Sequence, residues 1–87
     1  MTPRGIGPSP DLAIEVRSPH DRMKPLIAKA VEYLDAGVLV VVLLFPETNS
    51  AAIHRKNAAP VALAATDTLE LPDILPGFSV PVSAFFE

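Results

Sequence analysis

The sequence predicts an α/β domain, with α+β as the alternative, on three observations. An alternating apolar segment comes first, a segment with helical periodicity follows, and a continuous apolar run comes third. A strand, a helix of about twelve residues and a second strand form the usual right-handed parallel crossover. The chain has 87 residues and so makes one small domain at most, hiding only about 60–65% of its unfolded surface. Hydrophobic residues make up 49% of it, which excludes a disordered tail.

The elements follow in chain order. Residues 1–10 (MTPRGIGPSP) are rich in Pro, Gly and Ser and read as a flexible lead-in. The remainder, 11–87, reads as the domain. Asp11 to Ser18 alternates: Leu12, Ile14 and Val16 share one face, Asp11, Ala13, Glu15 and Arg17 the other, which predicts a strand. Pro19 to Lys24 reads as a turn, and Pro25 suits the first turn of a helix. Leu26, Ile27, Ala30, Val31 and Leu34 then form one apolar stripe. Gly37 is placed to take the left-handed conformation that ends the helix. Val38 to Phe45 (VLVVVLLF) predicts a strand covered on both faces, parallel to the first. After a turn at Pro46–Asn49, Ala51–Lys56 and Val61–Ala65 read as a weaker hairpin. Pro72, Pro76 and Pro81 limit Thr66–Glu87 to short extended pieces, with Phe78, Phe85 and Phe86 pinning the tail to the body.

Several function classes are excluded at this level. The chain has no cysteine, so disulfides and Cys-based zinc sites are ruled out. The longest apolar run, Ala36–Phe45, is half the roughly 20 residues of a membrane span. Residues 1–10 hold no apolar stretch of the signal-peptide kind. A cytoplasmic protein without membrane contact is the resulting expectation. The formal charge is −3 and the seven basic residues form no block, which argues against nucleic-acid binding by bulk positive charge. No Gly-rich phosphate loop, nucleophile elbow or two-histidine zinc motif is present.

Two local patterns are left as candidates for chemistry. Glu15 and Arg17 lie two apart on one strand face, roughly 7 Å from each other, an acid and a cation able to hold a metal and a phosphate. The plainer reading, a solvated strand face, is the commoner one for such a triplet. Lys29 and Tyr33 lie four apart on one edge of the helix, and Lys29 can reach Glu15 if the helix packs back on the sheet. The plainer reading there is a surface lysine snorkelling over apolar atoms. His20 reads as a turn histidine near the Glu15 strand. His54, beside Arg55 and Lys56, reads as part of an exposed hairpin.

Taken in series, PDLAIEVRSPHDR, KAVEYLDAGV, an apolar strand ending in Pro46, and DILPGFSVPVSAFF resemble the Uma-two family of restriction-endonuclease-like proteins, a branch of the PD-(D/E)XK nuclease superfamily. The resemblance runs from Pro8 to Glu87 with four motifs in family order. It implies a restriction-endonuclease-like core and a magnesium-dependent DNA endonuclease. By that resemblance Glu15 is the metal-binding acid. Lys29 is a migrated form of the lysine that usually follows the acid, and Arg17 fills the vacated place. Asp11 and Tyr33 are supporting positions.

The sequence departs from the family in two ways. Members are usually much longer, with an N-terminal half that carries a further essential aspartate before the Glu15 strand, so the chain looks like the C-terminal half of a nuclease. The central strand commonly ends Trp-x-x-Asp-Pro, where this chain has Val42 and Phe45. Three readings follow: a nuclease, weakly active or inactive alone; a non-catalytic remnant serving as a binding or dimerisation module; and a fragment completed by another segment or chain. Self-association is also expected, because one helix covers only one face of Val38–Phe45 and a second copy would cover the other.

Overall fold

The structure is a computed structural model and describes residues 11–87. The lead-in expected at 1–10 lies outside the described residues. Among the described residues a mixed α/β fold is observed, with one α-helix and six strands in two sheets. Strand β1 (Leu12–Val16) leads into helix α1 (Met23–Asp35), which returns to β2 (Val40–Phe45). Strands β3 (Ser50–Arg55) and β4 (Val61–Leu63) complete a sheet of order β1-β2-β3-β4. β1 and β2 are parallel, as the crossover requires, with Glu15 opposite Leu43. The β2–β3 and β3–β4 pairs are antiparallel.

Helix α1 begins two residues before Pro25. Pro25 is its third residue, where a backbone N–H would have no intrahelical partner, so the ring costs no hydrogen bond. At the other end Gly37 has φ 110°. Its N–H donates to the Leu34 carbonyl at 3.1 Å, and the Val38 N–H donates to the Tyr33 carbonyl at 3.0 Å. That pair of bonds is a Schellman cap. It takes Val38 out of the expected strand, so β2 starts at Val40.

β2 is buried along both faces. Val41 and Leu43 join Ala13, Leu26, Ala30, Leu34 and Val38 beneath the helix. Val40, Val42 and Leu44 join Ala51, Ile53, Leu69, Leu71 and Val82 on the other side. This second layer corrects the expectation about the tail. Strands β5 (Thr68–Leu71) and β6 (Leu75–Pro81) form an antiparallel two-stranded sheet, followed by a 3-10 helix over Val82–Phe86. β6 is seven residues long despite Pro76 and Pro81. Both strands of a two-stranded sheet are edges, where a missing donor is tolerated. Phe78, Phe85 and Phe86 pack against this layer, as the sequence predicts. The chain therefore covers the second face of β2 itself, and the argument for a second copy as that cover falls.

The faces of β1 are also corrected. The helix lies over the face carrying Ala13, which is 2% exposed, and the Glu15 side chain is 21% exposed there. Ile14 and Val16, on the supposed core face, are 38% and 57% exposed. Leu12 of β1 packs against the tail layer. Arg55 ties that layer to the main sheet, its Nε and Nη2 donating to the two Asp73 oxygens at 3.0 Å each. Among the described residues no helix is long and apolar enough to cross a membrane.

Candidate active site

Glu15 sits one residue before the end of β1, at the carboxyl end of a parallel strand pair. That end is where open α/β sheets place their ligands. Because α1 crosses this face, the helix edge bearing Lys29 and Tyr33 hangs over Glu15. The Tyr33 hydroxyl donates to Glu15 Oε2 at 2.8 Å, and Lys29 Nζ donates to Oε1 at 3.3 Å. The fourfold spacing along the helix supplies one donor to each carboxylate oxygen. The Glu15 carboxylate raises the Lys29 pKa, first through the hydrogen bond and then through its charge. Lys29 is accordingly held as a cation, with its side chain 52% exposed and open to an anionic ligand.

Asp21 is the site residue that the sequence reading missed. Its Oδ2 accepts the Ser18 N–H at 2.9 Å, and its own N–H donates to the Ser18 carbonyl at 3.0 Å. The Ser18 N–H bond is the main cause of its lowered pKa, helped by Lys29 and Arg17. Asp21 and Glu15 line one cleft of about 130 Å³ with Arg22, Pro25, Leu26 and Lys29. The signal was present in the turn Ser-Pro-His-Asp, since Asp side chains commonly bond backbone N–H groups of their own turn.

The other candidates separate. Arg17 lies past the end of β1, where its N–H donates to the Leu44 carbonyl at 2.9 Å. Its guanidinium reaches Glu47 Oε1 at 3.4 Å and the Asp21 carbonyl at 3.2 Å. Asp11 precedes β1, offers its carbonyl to the Val40 N–H, and does not line the Glu15 cleft. His20 is exposed in the turn. His54 is not part of an exposed hairpin. It is 6% exposed, opposite Val41 on the helix-bearing face, and burial lowers its pKa.

Magnesium takes oxygen ligands, keeps several waters and is held by one or two carboxylates. Glu15 and Asp21, two carboxylates on one cleft, fall within that range. Each Glu15 oxygen already accepts one hydrogen bond and keeps a second lone pair. Among the described residues no three His, Cys, Asp or Glu side chains converge as a ligand set.

The fold is that of a nuclease-like α/β protein. It is similar to the crystal structure of a putative nuclease belonging to DUF820 from Anabaena variabilis ATCC 29413, with a TM-score of 0.77 and 16% identity. The match covers 87% of this chain and 43% of that one, so the chain spans less than half of the relative's length. Residues 2–83 match the Uma2 family model, described as "Putative restriction endonuclease", and the chain belongs to that family. No curated protein matches it.

Proposed function

We propose that the chain is the Glu–Lys portion of a PD-(D/E)XK-type nuclease site acting on DNA phosphodiesters. The observation that carries this is the Glu15 carboxylate held between Lys29 Nζ and the Tyr33 hydroxyl. Glu15 would be the described ligand for magnesium, with Asp21 beside it. When bound, the ion would polarise the phosphodiester and lower the pKa of a bound water. Lys29 is a positioned cation for charge that develops on the phosphate. Tyr33 fixes the Glu15 rotamer, and Arg17, past the end of β1, offers a second cation.

The reading includes further ligands from outside the described residues, either another segment of a longer protein or another chain. Its support is the small donor set at Glu15. β1 has one hydrogen-bonded neighbour among the described strands, and the exposure of Ile14 and Val16 beside its open edge suits pairing with one more strand, in a homo-oligomer or a longer chain.

The test is incubation of the purified chain with plasmid and magnesium or manganese, beside Glu15→Ala. Little or no cleavage by the chain alone is expected, with cleavage restored by a longer homologous protein and abolished there by the equivalent change. Robust Glu15-independent nicking would overturn the assignment. A second reading, a non-catalytic binding module, is favoured by the engagement of both Glu15 oxygens within the chain. It predicts nucleic-acid binding that persists in Glu15→Ala.

A further inference from the structure

We propose that the cleft between Arg17 and Phe45 receives an unpaired nucleobase together with the phosphate attached to its sugar. This rests on the nuclease reading and deepens it by naming the class of substrate. The cleft has a volume of about 230 Å³ and is lined by Arg17, Met23, Phe45, Pro46, Glu47 and Thr48. Arg17 lies past the end of β1, and its Nε donates to the carbonyl of Asp21, a residue of the Glu15 cleft, at 3.2 Å; its backbone bond to Leu44 sets it next to Phe45.

The lining is divided in its chemistry. Met23, Phe45 and Pro46 give apolar walls, with a polarizable thioether that adapts to an aromatic face. Arg17, Glu47 and Thr48 give a cation, an anion and a hydroxyl. A purely apolar ligand would strand the polar group, and a small inorganic anion would leave the apolar walls unused. A nucleotide matches both, with its ring against Phe45 and Met23 and its phosphate on Arg17.

The Arg17–Glu47 pair is suited to exchange. Glu47 is 60% exposed and its contact is 3.4 Å long, so the pair is screened by solvent and weak. A phosphate takes the guanidinium in shorter, bidentate hydrogen bonds. Displaced Glu47 is then free to accept a hydrogen bond from an exocyclic amine on the base. The wall is pre-formed: the Thr48 N–H donates to the Phe45 carbonyl at 3.2 Å, and the Asn49 N–H to the Pro46 carbonyl at 3.3 Å. A base within a duplex is stacked and paired, so only a single strand, a frayed end or an extruded base enters such a cleft.

The test is an NMR titration of the isotopically labelled chain with deoxyadenosine 5′-monophosphate, beside 2-deoxyribose 5-phosphate. The nucleotide should move the Met23 methyl, the Phe45 ring and the Arg17 Nε–H resonances, whereas the sugar phosphate should move Arg17 alone. Phe45→Ala should weaken nucleotide binding about tenfold and leave the sugar phosphate's effect in place. Phe45 also packs against the helix-side core, so Met23→Ala, at a side chain 41% exposed, is the second variant and should lose part of the same preference. Equal responses to the two ligands, or no response at Met23 and Phe45, would overturn the proposal. Cleavage that depends on the residue equivalent to Glu15 is read separately, in the longer homologous protein. A responsive cleft without such cleavage would remove the nuclease reading and keep the cleft; cleavage with a silent cleft would do the reverse.

Discussion

Tyr33 and Glu15, 18 residues apart, are joined by a 2.8 Å hydrogen bond that is the shortest link between α1 and β1 at the site. It is part-buried, whereas the 3.3 Å Lys29 contact to the same carboxylate is exposed. The two donors therefore divide the work. Tyr33 orients the acid and anchors the helix edge, and Lys29 keeps its charge available to solvent.

That division sets the first prediction. Tyr33→Phe deletes a bond to a charged, partly desolvated acceptor and should cost about 1–2 kcal/mol in urea unfolding at pH 7. Lys29→Met removes a solvent-screened pair and should stay within about 1 kcal/mol of the parent. Equal losses would place the anchoring on the lysine instead.

His54 sets an acid dependence. Burial lowers its folded pKa below the ordinary 6.5, so the unfolded chain takes up a proton first as the pH falls. Its contribution is complete above pH 6.5 and is lost as pH drops toward the folded value. One proton sets a ceiling of about 1.4 kcal/mol per pH unit on the slope in that window. Thermal melts from pH 7.5 to 5 should show the decline, and His54→Leu should flatten it.

Asp73 acts in a lower window. The Arg55 hydrogen bonds hold its pKa below the ordinary 3.8, so its contribution is present above that value and is lost as pH falls through the folded pKa. Asp73→Asn at pH 7 should speed amide exchange in β5 and β6 while leaving β1 and β2 protected. Uniform loss of protection across both sheets would show that the tail layer does not open separately.

Gly37→Ala tests the helix end. At φ 110° a Cβ is strained, and the substitution should cost about 1–2 kcal/mol. Urea unfolding measures it. Gly37→Asn, which tolerates left-handed backbone better, should cost less.

Much of this was legible in the sequence because two strong periodicities meet there. The alternation in Asp11–Ser18 and the 3.6-residue stripe after Pro25 place Glu15 and Lys29 on facing elements, and the apolar run fixes the parallel neighbour. The sheet face was not legible. Ile14 and Val16 mark the greasier side of β1, yet the helix settles over Ala13, since local pattern cannot report which side a crossover takes. His54 was misjudged for a similar reason: Arg55 and Lys56 flank it, but alternation turns it inward. Asp21 was signalled only by its Ser-Pro-His-Asp turn, and its bond to the Ser18 N–H appears only in three dimensions.

Ala13 and Ala30 are 2% and 0% exposed within the helix-side core, and neither carries any chemistry. Their small size nevertheless sets how near α1 can settle to the sheet, and so how far Lys29 and Tyr33 must reach. Clearance between helix and strand is thus written in methyl groups. A single added methylene there would act as a shim, widening the gap for both donors at once with no site residue exchanged.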